Sequence, residues 1–146
     1  MTYRLKTFDD LSLGQRATFS KTITEADVSL FVAVTGDVNP LHVDEEFARR
    51  TLFGTRIAHG LLSASLFSTL MGMFLPGIGA IYRSQTLEFL RPVRLGDTLT
   101  AVFEVDELDP EANLIGLATR IENQRGEVVI QGRAGASLLR GLRDPE

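Results

Sequence analysis

The chain has no cysteine and only two histidines. The first absence excludes a disulfide framework and thiolate metal sites, and two histidines are too few for most all-histidine zinc sites. The amino terminus, MTYRLKTFDD, carries no apolar run of signal-peptide length, and the longest apolar-rich stretch, Leu61 to Leu75, is interrupted by serine and glycine. A cytoplasmic protein that does not enter a membrane is therefore expected. Basic residues are outnumbered, 15 against 19 acidic ones, for a net charge of −4. With no basic face of interleaved aromatics, that balance argues against general nucleic-acid binding. No internal repeat, low-complexity segment or block of like charge divides the 146 residues. A single domain over residues 1–146 is expected, large enough to bury a core unaided.

What is there reads as helices first and strands afterwards. A turn signal at Leu13-Gly14 precedes a short strand, RATFSKTI, bearing Phe19 and Ile23. Thr24-Glu25-Ala26-Asp27 then reads as a capping box, and Val28, Phe31, Val32 and Thr35 follow at helical spacing. Asn39-Pro40 breaks this helix, because proline fixes its own φ and disfavours the α region for the residue before it. Asp44 caps a second short helix, DEEFARRT. The stretch GLLSASLFSTLMGMFL is apolar on nearly every face, which predicts a buried helix, stopped by Pro76-Gly77. Long strands follow over Ala80–Leu90, Thr98–Val105, Asn113–Ile121 and Glu127–Leu139, read most economically as an antiparallel meander. A sheet wrapped around a central helix is the architecture this order suggests. The tail GLRDPE is expected to fray.

Chemistry concentrates between Phe31 and Ala48, FVAVTGDVNPLHVDEEFA. A proline-stiffened bend places a carboxylate, Asp37, and an imidazole, His42, where both can meet at one point, as a general acid/base pair requires. A structural reading competes with this one. Asp37 suits an Asx-type turn and His42 suits a half-buried residue bonded to backbone, and spacing alone favours that reading. Against it, Thr35, Asp37, Asn39 and His42 crowd among Val34, Leu41, Val43 and Phe47. Polar groups in such company cost about 1–3 kcal/mol each if left unpaired.

A second feature is Ala58-His59-Gly60 at the start of the apolar helix. The first amides of a helix have no intrahelical acceptor, and a glycine there lets a substrate carbonyl approach the backbone, which makes an oxyanion site. The alternative is a glycine that merely starts the helix. Arg49, Arg50, Arg56, Arg83, Arg91 and Arg94 read individually as solvated surface, and Ser63, Ser65 and Ser68 as helix-packing residues.

The 31–48 segment resembles the signature of the (R)-specific enoyl-CoA hydratases, also called hydratase 2, within the MaoC-like dehydratase group of hotdog-fold proteins. Phe31, Thr35-Gly36-Asp37, Asn39-Pro40-Leu41-His42 and Ala48 carry the likeness. It continues through Ala58-His59-Gly60, LLSASLFS, IYRSQTLEFLRPV and LGDTLTAVFEV, and so covers most of the chain. The branch it resembles is that of the short, single-hotdog bacterial hydratases linked to polyhydroxyalkanoate precursor supply.

The resemblance implies an α+β hotdog fold, an antiparallel β-sheet wrapped around a long central α-helix near residues 60–75. It implies a dyad of Asp37 and His42 that holds and activates a water, a Gly60 amide offered to the thioester carbonyl, and a Ser68 in the place of a family active-site serine. The implied reaction is hydration of a trans-2-enoyl-CoA to the (R)-3-hydroxyacyl-CoA, with no metal or redox cofactor and coenzyme A only as the substrate's carrier. A homodimer with two sites near the interface is implied as well. Which dyad member takes the water proton stays open. An imidazole with an ordinary pKa of ~6.5 favours His42, with Asp37 orienting the water and relaying a proton to the α carbon. The net negative charge opposes the phosphates of coenzyme A, so a local arginine cluster is expected to offset it. Alternatives are a dehydratase of 3-hydroxyacyl carrier-protein or branched or dicarboxylic acyl-CoA thioesters, a non-catalytic acyl-thioester-binding subunit, and, more remotely, a thioesterase. The presence of both Asp37 and His42 weighs against the non-catalytic subunit.

Overall fold

The computed structural model describes residues 3–142. The last residues of the tail expected to fray, Arg143–Glu146, lie outside that range. Strand β1 (Arg16–Thr22) leads into helix α1 (Glu25–Thr35). The capping box closes as expected: Thr24 Oγ1 accepts the Asp27 N–H at 3.3 Å and Asp27 Oδ2 accepts the Thr24 N–H at 2.8 Å. Gly36, at φ +76°, ends the helix in the left-handed conformation that glycine adopts without a Cβ clash. Two single-turn helices follow, α2 (Pro40–Val43) and α3 (Glu45–Ala48), with Asp44 Oδ1 accepting the Phe47 N–H at 3.1 Å as the second cap.

The remaining strands are β2 (Ala80–Gln85), β3 (Glu88–Phe89), β4 (Thr98–Asp109), β5 (Leu114–Glu122) and β6 (Val128–Leu138). They form one antiparallel sheet in the order β1-β4-β5-β6-β2, with β3 also on β6. Only β4, β5 and β6 run as the expected meander. β1 pairs at the far side of β4, and β2 crosses back to the far side of β6. The expected 80–90 strand is split because Thr86 sits over Gly132, where a Cβ would stand 1.8 Å from the Thr86 carbonyl oxygen. The ladder resumes beyond it in the same register, Gln85 opposite Ala134 and Glu88 opposite Gln131.

The sheet curls around the helical run, which supplies Leu66, Phe67, Leu70 and Met71 to a core completed by Leu99, Phe103, Ile115, Leu117, Ile121 and Ile130. Phe67 and Phe103 meet with ring centroids 5.4 Å apart. Burying side chains of this size contributes about 1.5–3 kcal/mol each, so this contact layer is what holds the sheet to the helix.

The central helix departs from expectation twice. It is three pieces, α4 (Gly60–Ala64), α5 (Leu66–Thr69) and a π-helical turn (Leu70–Phe74), rather than one uninterrupted α-helix. It is also not buried all round: Leu61 is 60% exposed, Met73 64% and Phe74 51%. One face meets the sheet, and the other stays apolar and open. No helix among the described residues is long and apolar enough to cross a membrane.

Candidate active site

Asp37 follows the helix-ending Gly36 and lies in a half-exposed turn, its side chain 48% accessible. Its Oδ1 accepts the Asn39 N–H at 3.1 Å, and Asn39 Oδ1 in turn accepts the Leu41 N–H at 3.1 Å, capping α2. The Asx turn anticipated as the competing reading is thus present. It occupies one carboxylate oxygen and leaves the other.

His42 sits at the end of α2, where Nδ1 is 2.8 Å from the Ile57 carbonyl oxygen. A carbonyl only accepts, so the proton of the neutral ring is on Nδ1 and the lone pair on Nε2. The backbone-bonded histidine of the competing reading is present too, and that bond fixes the tautomer a general base needs. One ring nitrogen each from His42 and His59 and a carboxylate oxygen of Asp37 all lie within 4.8 Å of one another. Two hydrogen bonds of roughly 2.8 Å to one water span about that distance.

The bend is held from outside by charge. Arg56 donates from Nη1 to Glu25 Oε1 at 2.9 Å and from Nη2 to Glu25 Oε2, and its N–H donates to Glu45 Oε2 at 3.1 Å. The same Nη1 reaches the His42 carbonyl at 3.4 Å. Arg56 is therefore a brace between α1, α3 and the dyad segment, only 19% exposed, rather than the solvated cation expected. Its hydrogen bonds hold the Glu25 carboxyl below its usual range, and its backbone N–H, with Thr55, does the same for Glu45.

A cavity of about 510 Å³ opens beside His42, lined mainly by apolar side chains including Phe53, Leu61, Phe89 and Val93, with Gly60 and Ser63 in its wall. Asp37 stands outside that lining. Gly60 opens α4 with its backbone against the Phe89 ring, and a Cβ there would lie 2.7 Å from a ring carbon. Only glycine fits that approach unless Phe89 moves. Ser68 is elsewhere: it is exposed and lines a separate groove with Leu61, Tyr82 and Gln85. Burial pushes the Tyr82 hydroxyl up to about 12.

Two buried polar residues stand in this region, His59, which has no role from sequence, and Ser63, read there as a helix-packing residue. His59, 2% exposed, donates from Nε2 to the Asp37 carbonyl at 3.0 Å and stacks on His42 with centroids 3.9 Å apart. The signal that could have found it was its rarity, as one of two histidines, beside the glycine already singled out. Ser63, one turn later, is fully buried with its Oγ unpartnered. Asp37, His42 and His59 are the residues that could be asked to hold a metal. They would have to close up to do so, because ligation brings atoms to ~2.0–2.2 Å from one ion, whereas these atoms span up to 4.8 Å.

A curled antiparallel sheet on a central helical run, with an acid–imidazole pair where that run begins, is the architecture of the hotdog-fold hydro-lyases. Residues 11–124 match the family model described as the MaoC like domain, and the chain belongs to that family. It is 48% identical over 127 residues to the (R)-specific enoyl-CoA hydratase of Rhodospirillum rubrum, covering 87% of this chain and 88% of that one. It is 48% identical to the 3-hydroxybutyryl-CoA dehydratase of Methylorubrum extorquens, over 90% of this chain and 83% of that one. Among solved structures it is similar to an (R)-hydratase from A. caviae involved in PHA biosynthesis, with a TM-score of 0.85 and 45% identity, over 88% of this chain and 98% of the other.

Proposed function

We propose that the chain catalyses (R)-specific hydration of a trans-2-enoyl-CoA to the (R)-3-hydroxyacyl-CoA, and the reverse dehydration. The observation that carries this reading is the shared span of 4.8 Å among the Asp37 carboxylate and the two imidazoles, beside an apolar cavity with Gly60 in its wall. His42, protonated at Nδ1 by its bond to Ile57, takes the water proton at Nε2. The carboxylate oxygen of Asp37 that is not spent on Asn39 orients the same water. The hydroxide adds to C3, and the proton held by His42 passes to the Asp37 carboxylate, which delivers it to C2 on the same face. The charge that develops on the thioester oxygen meets the Gly60 N–H. A donor so placed lowers a barrier by about 2.7–4 kcal/mol where it has been removed and measured.

The reaction draws on no metal or redox cofactor, and coenzyme A enters only as the carrier. Ser68 lines a neighbouring groove that shares Leu61 with the cavity. That groove, lined by Leu61, Tyr82 and Gln85 as well, is the surface we assign to a second copy of the chain. Light scattering at micromolar concentration should then give a dimer mass, and a monomer mass would contradict the assignment.

Loss of enoyl absorbance with crotonyl-CoA, followed by chiral analysis of the product, tests the main reading. No turnover, or an S product, would refute it. Faster turnover of a carrier-protein thioester than of any acyl-CoA would favour the dehydratase alternative.

A further inference from the structure

The proposed water chemistry uses one histidine, and the chain has two. His59 immediately precedes α4 and is almost completely enclosed, and three contacts define its place. Its Nε2 is 3.0 Å from the Asp37 carbonyl oxygen. Its ring lies on His42 at 3.9 Å with planes 33° apart, and Phe31 of α1 covers it at 4.8 Å. Its Nδ1 has no hydrogen-bond partner. Since a carbonyl accepts only, the ring proton is on Nε2, the opposite tautomer to that of His42. An unpaired buried nitrogen is unfavourable, and an apolar ring of the same size would avoid it. What an apolar ring lacks is the N–H that Asp37 receives.

The Asp37 turn needs such a tie. It is exposed, it follows a left-handed glycine, and its side-chain bond to Asn39 lies within the turn itself. The bond from His59 is the one that joins it to the interior, and the ring that makes it also supports the face of His42. We infer that His59 is a positioning residue for the dyad. Its N–H sets the main chain that carries the acid, and its face sets the imidazole, so both groups hold the water-sharing geometry before substrate arrives. This rests on the proposed hydratase reading for its kinetic consequence, though not for its geometry.

Two experiments test it. In the unaltered protein with isotopically labelled histidine rings, nitrogen NMR above the rings' titration should show one ring protonated at Nδ1 and the other at Nε2, assigned with His42→Gln. Finding the same tautomer in both rings would overturn the inference. In kinetics, His59→Phe keeps the stack and deletes the N–H, while His59→Gln deletes the ring and keeps an N–H of similar reach. His59→Phe should lower kcat about 10–100-fold with KM changed less than about threefold, the size expected for slight misplacement of reacting groups, and His59→Gln, which restores the N–H without the ring face, should recover part of it. A kcat for His59→Phe within about twofold of the parent, or no recovery in His59→Gln, would sink it. Thermal melts accompany both variants, and if His59→Phe does not fold, His59→Gln and the tautomer measurement still decide. Should the parent protein not hydrate crotonyl-CoA at all, the functional reading fails while the tautomer result stands by itself.

Discussion

The sheet half of the molecule and the segment between Gly36 and Gly60 are built by different physics. From Thr98 to Leu138, β4, β5 and β6 hold each other in register and bury Leu99, Phe103, Leu117 and Ile121 completely. From Gly36 to His59 only Ala48, Ala58 and His59 are buried. What shapes that stretch is side chains bonding to backbone: Asp37 to Asn39, Asn39 to Leu41, Asp44 to Phe47, His42 to Ile57, His59 to Asp37. The lesson is a division of labour. Apolar area supplies the stability of the scaffold, and a chain of directional bonds supplies the geometry of the site, so function and folding should be separable by mutation.

The sharpest break of that contrast comes from the dyad itself. Asp37→Asn and His42→Ala should each lower hydration of crotonyl-CoA about 10²–10⁴-fold, the range for loss of a general acid or base. The melting temperature should stay close to the parent's, and near-normal turnover in either variant would remove the dyad from the mechanism. Next in size, Phe103→Ala should cost about 3–5 kcal/mol of stability in denaturant titration, with kcat per folded molecule retained. A small stability loss there would deny the core its assigned part. Gly60→Ala should act on both regions at once: the new methyl displaces Phe89 and narrows the cavity, so KM should rise and the longer acyl chains should suffer most. Equal effects on all chain lengths would say that the Phe89 wall is not the acyl wall.

The smallest effect tests the Arg56 brace. The Arg56 side chain holds the Glu25 carboxyl below the ordinary 4.5, whereas Glu45 is held chiefly by the Arg56 backbone N–H, which Arg56→Gln keeps. A depressed folded-state value stabilises above the unfolded value and loses that contribution as pH falls through the folded one. Melting temperatures of the parent and Arg56→Gln should therefore differ most at neutral pH and converge as pH drops below about 4.5. Both carboxylates are well solvated, so the difference at neutral pH should be small. A gap that widens in acid would reverse the sign of the brace.

Which parts were legible in the sequence follows the same division. Thr24 with Asp27 and Asp44 obey rules that act within four residues, and each caps where the pattern put it, whereas the helix expected to break at Asn39-Pro40 already ends at Gly36 and that pair opens α2 instead. The strand segments were visible from composition, but the place of β1 beside β4 and of β2 beside β6 depends on partners far along the chain. The split of the 80–90 strand depends on a glycine at position 132 that local pattern does not connect to Thr86. Asp37 and His42 could be singled out because proline marks their bend. The contact of His59 with Asp37 spans 22 residues and carries no local signature. Ser63 and Ser68 are five residues apart and so fall on different faces of the run, but which face meets the cavity wall and which the open groove depends on how the run is seated on the sheet.

The two-residue strand β3 carries Phe89, the aromatic that abuts Gly60. One wall of the chamber is thus set by the far half of the split strand on β6, whereas Asp37 and His42 hang from the helical bend. If the cavity takes the acyl tail as proposed, altering that segment would change which tails are admitted while leaving Asp37 and His42 in place, so selectivity would have its own adjustable part, distinct from the part that sets the rate.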